Sequence, residues 1–141
     1  MPRLWSWLAL DVIYAVHGRQ IAEHGGADGV RDAALIESAL MRPMNLAAYG
    51  SPDAADLAAA YAFGIARNHG FVDGNKRTAW VAARLFLRLN QVDMTFAPAE
   101  AVETMEKVAA GLVNEARLAS RFRENIRPKG ATVRLRQTPD A

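Results

Sequence analysis

Nine consecutive residues, 69–77, read His-Gly-Phe-Val-Asp-Gly-Asn-Lys-Arg. They join a group that accepts a proton near neutral pH, a carboxylate, a glycine that lets the backbone turn, and two cations. No packed core requires that set, whereas chemistry on phosphate does. If a helix opens at Lys76, the amides of Gly74, Asn75, Lys76 and Arg77 lie in its first turn. There, N–H groups without intrahelical partners and the positive end of the helix dipole attract phosphate. Lys76 adds a point charge, and Arg77 adds a planar fork that matches phosphate oxygens. Asp73, beside this cradle, suits Mg²⁺, which proteins hold with one or two carboxylates plus phosphate oxygens. His69 is the general base among the nine, and Phe71 is expected to plug into the core and fix the loop. Each residue also has an ordinary reading: a helix end for His69, a plain turn for Asp73-Gly74, an N-cap for Asn75, solvated charge for Lys76 and Arg77. Singly these are favoured, but jointly they leave the coincidence unexplained.

Helices must position the loop. Ser6 is expected to cap a first helix that runs through Trp7, Val12, Val16 and Ile21 until Gly25-Gly26 stops it. Asp32 opens a second, with Leu35, Ile36, Ala39 and Leu40 at helical spacing and Pro43 as its end. Residues 42–52 then read as a loop or short hairpin. Ser51-Pro52-Asp53 starts a third helix, capped by the serine and running to about Asn68, and residues 76–90 form a fourth. Both are apolar nearly all round, as enclosed helices are, so the nine-residue loop joins two central helices. Thr95 and Pro98 open a fifth that ends at Gly111, and Asn114 opens a sixth that fades before Pro128. Alternating strand patterns are nearly absent. The expected fold class is all-α, a compact orthogonal helical bundle with a short loop or hairpin flap. One domain is expected over residues 1–128, followed by a basic tail, 129–141, that is either mobile or adds a short strand over 132–135.

The 141 residues, 51% of them hydrophobic, suffice for a core without metal or disulfide staples. Seventeen Lys and Arg against fifteen Asp and Glu leave a charge of only +2, so direct nucleic-acid binding is not expected. Cysteine is absent, which excludes a disulfide framework and thiolate metal sites, and the cytoplasm is the default location. Residues 4–16 are apolar but interrupted by Asp11, lack a basic leader, and fall short of the roughly 20 residues a membrane span needs. An amphipathic helix is expected there, and no membrane association.

The loop resembles the signature of the Fic/Doc superfamily, in which Fic proteins read H-x-F-x-[D/E]-G-N-G-R and Doc (death-on-curing) toxins carry Asn-Lys-Arg where Fic has Asn-Gly-Arg. Seven fixed positions agree with H-x-F-x-D-G-N-K-R, a coincidence of about one in a billion per starting position for equiprobable residues. Lys76 makes the chain similar to Doc. The resemblance extends to Gly25-Gly26, Gly29-Val30-Arg31-Asp32 and residues 35–43, and covers residues 4 to about 126. It implies a compact helical fold and transfer of part of a nucleotide to a protein hydroxyl. In that scheme His69 deprotonates the hydroxyl, Asp73 holds Mg²⁺, and Gly74, Asn75, Lys76 and Arg77 bind phosphates. Lys76 and Arg77 count with His69 and Asp73 as catalytic. Arg88, which matches a basic position of the corresponding Doc helix, joins the nucleotide-binding set. ATP and Mg²⁺ are the implied cofactors.

For a Doc-like chain the resemblance implies a toxin-antitoxin toxin. Such a kinase binds ATP in reversed orientation, phosphorylates a threonine or serine of an elongation factor Tu-like translation factor, arrests translation and is restrained by a Phd-like antitoxin. AMP transfer of the Fic type is the alternative, which Gly74 favours and Lys76 opposes. A catalytically silent binding module is a second alternative, opposed by the intact set His69, Asp73, Asn75 and Arg77.

Other residues carry weaker signals. Arg77, Arg84 and Arg88 share one side of an otherwise apolar helix, either as a cleft wall or as partners of core carboxylates. His17 and His24 invite a metal reading, but packing or surface roles are preferred, and Trp5, Trp7 and Trp80 read as packing. Ser120 to Asn125 match the inhibitory pattern [S/T]-x-x-x-E-[G/N] of some Fic proteins, in which Glu124 would pair with Arg77. An ordinary terminal helix is preferred. Residues 42–51 occupy the position of the family's target-gripping flap.

Overall fold

Alanine dominates the helix at the centre of the molecule, and that composition sets the architecture. In the computed structural model, which describes residues 4–129, α3 (Ala54–Asn68) buries eleven of its fifteen residues, seven of them alanines. Small side chains on every side let neighbours approach closely. One close crossing is with α2 (Ala33–Tyr49), where a Cβ on Gly64 would lie 3.2 Å from that of Ala39. Around α3 also pack α4 (Asn75–Leu89), α5 (Pro98–Ala109) and α6 (Glu115–Glu124), while α1 (Leu10–His24) lies against α4. The largest buried side chains include Tyr61, Phe71, Phe86 and Phe122. Trp5 and Trp7 pack on Phe86, and Trp80 on Phe96 and Phe122, so all three tryptophans are packing residues.

The all-α expectation stands, with four corrections. The first helix begins at Leu10 because residues 6–8 find other partners. Ser6 exchanges two 3.0 Å backbone bonds with the Asn90 side chain, and Leu8 N–H donates to the Tyr61 hydroxyl at 3.0 Å. Burial pushes the Tyr61 hydroxyl pKa up. The second helix does not stop at Pro43 but continues to Tyr49, so no hairpin forms over 42–49 and only 50–53 connect to α3. Pro43 falls on the same stripe as Ile36, Ala39 and Leu40, and its full burial offsets the bond its missing N–H cannot make. The third helix is capped by Asp53 rather than Ser51, through a reciprocal capping box with Asp56. Lastly, β1 (Val92–Met94) pairs antiparallel with β2 (Ile126–Pro128), three residues each and too short to show a period. The strand expected over 132–135 lies outside the described residues. Among those described, no helix is long and apolar enough to cross a membrane.

Arg123 ties α6 to the start of α3, with bonds of 2.8 and 3.1 Å to Asp53 and 2.7 Å to Asp56. The guanidinium holds the Asp53 carboxyl down at about 2. A carboxyl depressed in the folded state stabilises fully above its unfolded pKa, and that contribution is lost as pH falls toward the folded value. Solvent screens this half-exposed pair, so the effect is modest. Asp53→Asn keeps a capping side chain and removes the charge. Its melting temperature should fall below that of the native protein at pH 7, and the two should converge between pH 4 and 2. Parallel curves in thermal melts across that range would contradict the assignment.

Candidate active site

α3 ends at His69 in the left-handed region, φ 54° and ψ 48°, one of two described non-glycine residues with positive φ. Arg31 imposes that ending. Its Nε donates to the His69 carbonyl at 2.7 Å and its Nη2 to that of Asn68 at 3.1 Å, which places a cation on the negative helix end. The Asn68 amide donates to Leu35 O at 2.9 Å.

The chain then runs in extended form against residues 29–32, with one antiparallel bridge between them. Gly70 O accepts from Arg31 N and Asp32 N at 2.8 and 2.9 Å, Phe71 bridges Val30, and Val72 N–H donates to Gly29 O at 3.0 Å. Gly70 has no room for a side chain, since a Cβ would lie 2.5 Å from Ile36 Cγ1 and 3.1 Å from Asp32 O. Phe71 is buried as expected, with its ring stacked on that of His17 at 3.8 Å between centroids.

Asn75 closes the loop from within. Its Oδ1 accepts from Phe71 N–H at 3.0 Å, and its Nδ2 donates to Phe71 O and to His69 Nδ1, both at 2.9 Å. The two backbone bonds fix which end of the amide is nitrogen, so His69 Nδ1 is an acceptor and the neutral ring carries its proton on Nε2. The Asn75 side chain is thus buried and engaged, leaving its backbone N–H for an anion.

Asp73 is exposed, and its carboxylate is oriented from two sides. Oδ1 accepts from Gly74 N–H at 2.8 Å and Oδ2 from Ala27 N–H at 3.3 Å. These bonds, Gly74's first, lower its pKa, with Arg77 and His17 adding smaller electrostatic pulls. Gly26 makes room, because a Cβ there would meet Asp73 Oδ2 at 2.7 Å. Gly74 opens α4 at φ 78° with no side-chain cap, so the amides of Asn75, Lys76 and Arg77 face outward while Gly74's own N–H serves Asp73. Lys76 and Arg77 are exposed and form no ion pair among the described residues. A proton acceptor, a deprotonated carboxylate and a cationic, uncapped helix start therefore lie along one loop, an arrangement able to bind phosphate and deprotonate a hydroxyl.

A model described as the Fic/DOC family matches residues 7–87, more than half of the chain. The chain belongs to the Fic/DOC family. Two relatives place it in the Doc branch. Toxin Doc of Mycolicibacterium smegmatis is 44% identical over 90 residues, covering 60% of this chain and 68% of that one. Protein kinase doc of Escherichia phage P1 is 33% identical over 114 residues, covering 80% and 90%.

Not every expected site residue gathers at the Fic/DOC loop. Arg88 pairs with Asp93 at 3.6 Å, eleven residues beyond Arg77 and about 16 Å along the helix. Arg84, about 10 Å along, is exposed. Glu124 follows the Arg123 that grips the start of α3, a helix length of about 22 Å from His69, so the inhibitory pairing with Arg77 does not form. Among the described residues no cluster of three or more metal-ligating side chains occurs. Not legible in the sequence are Gly70, which fills a variable position of the motif, and His17, which reads there as a packing or surface residue. Nor is it legible there that Arg31 and Gly26 shape the loop.

Proposed function

We propose that this Fic/DOC protein is a toxin that moves the γ-phosphoryl group of Mg-ATP onto a threonine or serine of a translation factor resembling elongation factor Tu. A Phd-like antitoxin restrains it. The observation that carries the reading is the uncapped start of α4, where exposed Lys76 and Arg77 follow directly on Asp73. The Asn75, Lys76 and Arg77 amides and the two cations hold phosphate oxygens. Asp73 keeps lone pairs beyond its two N–H bonds and, among the described residues, belongs to no cluster of three or more metal-ligating side chains, which fits a cation that takes its other ligands from phosphates and water. Bound Mg²⁺ would neutralise charge on the phosphates.

His69 takes the proton. Its neutral lone pair is on Nδ1, so the target hydroxyl displaces one Asn75 N–H there while Asn75 keeps both bonds to Phe71. The hydroxyl oxygen bonds to the γ-phosphorus, the bond to the β–γ bridging oxygen breaks, ADP leaves, and the proton rests on His69. Lys76 favours this orientation over AMP transfer because a long cation stands where Fic proteins have glycine. The relative named Protein kinase doc supports the same choice. Expressed without an antitoxin, the chain is expected to stop incorporation of labelled amino acids within minutes. Unimpaired incorporation, alike for the native chain and an inactive variant, would sink the toxin reading.

A further inference from the structure

We infer that His17 is a positioning residue that fixes the peptide between Asp73 and Gly74 and so aims the Asp73 carboxylate at its cation; this rests on the metal-binding role proposed for Asp73. His17 is a buried polar side chain, 3% exposed, on a helix more than fifty residues away in sequence. Nothing in the phosphate cradle requires it. Its Nε2 lies 2.8 Å from the Asp73 carbonyl oxygen, so Nε2 carries the proton and donates. Nδ1 faces Asp28, 3.9 Å away and beyond hydrogen-bond reach. The ring lies parallel to Phe71, 6° between planes. One side chain therefore holds residues 71 and 73 together, the first by stacking and the second by its carbonyl.

The carbonyl matters because it belongs to the same peptide group as the Gly74 N–H, which donates to Asp73 Oδ1 at 2.8 Å. Gly74 gives this peptide little resistance to rotation. Without the His17 donor the group can turn over, and the carboxylate then loses the N–H that sets its direction. Ile21, one turn along α1, completes the floor: a Cβ on Gly74 or Gly26 would come within 3.2 or 3.3 Å of its Cδ1. Groups that orient a metal ligand without touching the metal commonly change affinity by about 10- to 100-fold when removed.

Two substitutions divide the ring's contributions. His17→Phe keeps a flat ring against Phe71 and loses the donor, whereas His17→Gln keeps an amide N–H in reach and loses the stack. Mn²⁺ binding, read by electron paramagnetic resonance with a non-hydrolysable ATP analogue present, should weaken about tenfold in His17→Phe and recover most of that in His17→Gln. Turnover at saturating Mg²⁺ should change far less than the Mg²⁺ concentration giving half of it. Equal Mn²⁺ affinity in the native protein and a folded His17→Phe would overturn the proposal. So would a loss that follows the stack, with His17→Gln the weaker binder.

The Gly74 amide resonance gives a second readout that needs no metal. A displacement in His17→Phe that His17→Gln reverses supports the role, and an unmoved resonance overturns it. Should His17→Phe not fold, the nitrogen spectrum of the native imidazole decides: a proton on Nε2 is expected, and an unprotonated Nε2 would overturn the assignment. A native protein without Mn²⁺ affinity would count against the role of Asp73, with the Gly74 resonance still deciding that of His17.

Discussion

Replacing His69 with alanine is expected to slow transfer to the target hydroxyl by about 10²- to 10⁴-fold, the range over which a positioned general base acts. Folding should survive. The Arg31 bond is made by the His69 carbonyl, which alanine keeps, and among the described residues the exposed side chain loses one hydrogen bond, that from Asn75. The left-handed backbone is the one strain alanine would carry, so His69→Asn, better tolerated there, is the companion variant. Both should bind a non-hydrolysable ATP analogue about as well as the native protein, because the cradle lies beyond the base. Inactive variants with native nucleotide affinity and melting temperature would locate the loss in proton transfer. Retained transfer would move the base elsewhere.

Gly70→Ala should produce the largest loss of stability of any single methyl added near the loop. Two of the three atoms its Cβ would crowd, Asp32 O and Ile36 N, are backbone at the start of α2 and cannot rotate aside. Overpacking of this kind costs about 1–3 kcal/mol, and for a domain of this size each kcal/mol lowers the melting temperature by about 2–8 °C. The shift also pushes Gly70 O off the amides of Arg31 and Asp32, loosening the segment that carries Phe71, so activity should fall with stability. Gly18 is the control. It lies in α1 with nothing within 4 Å of a built Cβ, and Gly18→Ala should be neutral or stabilise by up to about 1 kcal/mol. Similar melting temperatures for the two variants would refute the steric account.

Much of this was legible because helices announce themselves through period and punctuation. Asp32, Asn114 and Pro98 mark their helix starts, and Gly111, in the left-handed region, follows the end of α5. The loop residues were legible as chemistry, since no core needs His69, Asp73, Lys76 and Arg77 together. What stayed hidden depends on tertiary partners. Pro43 is a helix end by local rules and becomes a helix interior only because it lands on the buried stripe against α3. Ser6 reads as a cap until Asn90 and Tyr61 offer residues 6–8 other bonds. The Asn75 side chain turns inward to Phe71 and His69, which leaves only its backbone N–H facing outward, and Arg88 pairs with Asp93 near the far end of α4. Gly70 and His17 do their work through contacts with α2 and across from α1, which no local spacing encodes.

Transfer of label from ATP tests the central claim most directly. The native protein is incubated with elongation factor Tu, Mg²⁺ and ATP carrying label at either the α or the γ phosphate. Label reaching the translation factor only from the γ position is the predicted result, as phosphate on a threonine or serine. Label arriving from the α position would contradict it, making the protein an AMP transferase and removing the role assigned to Lys76.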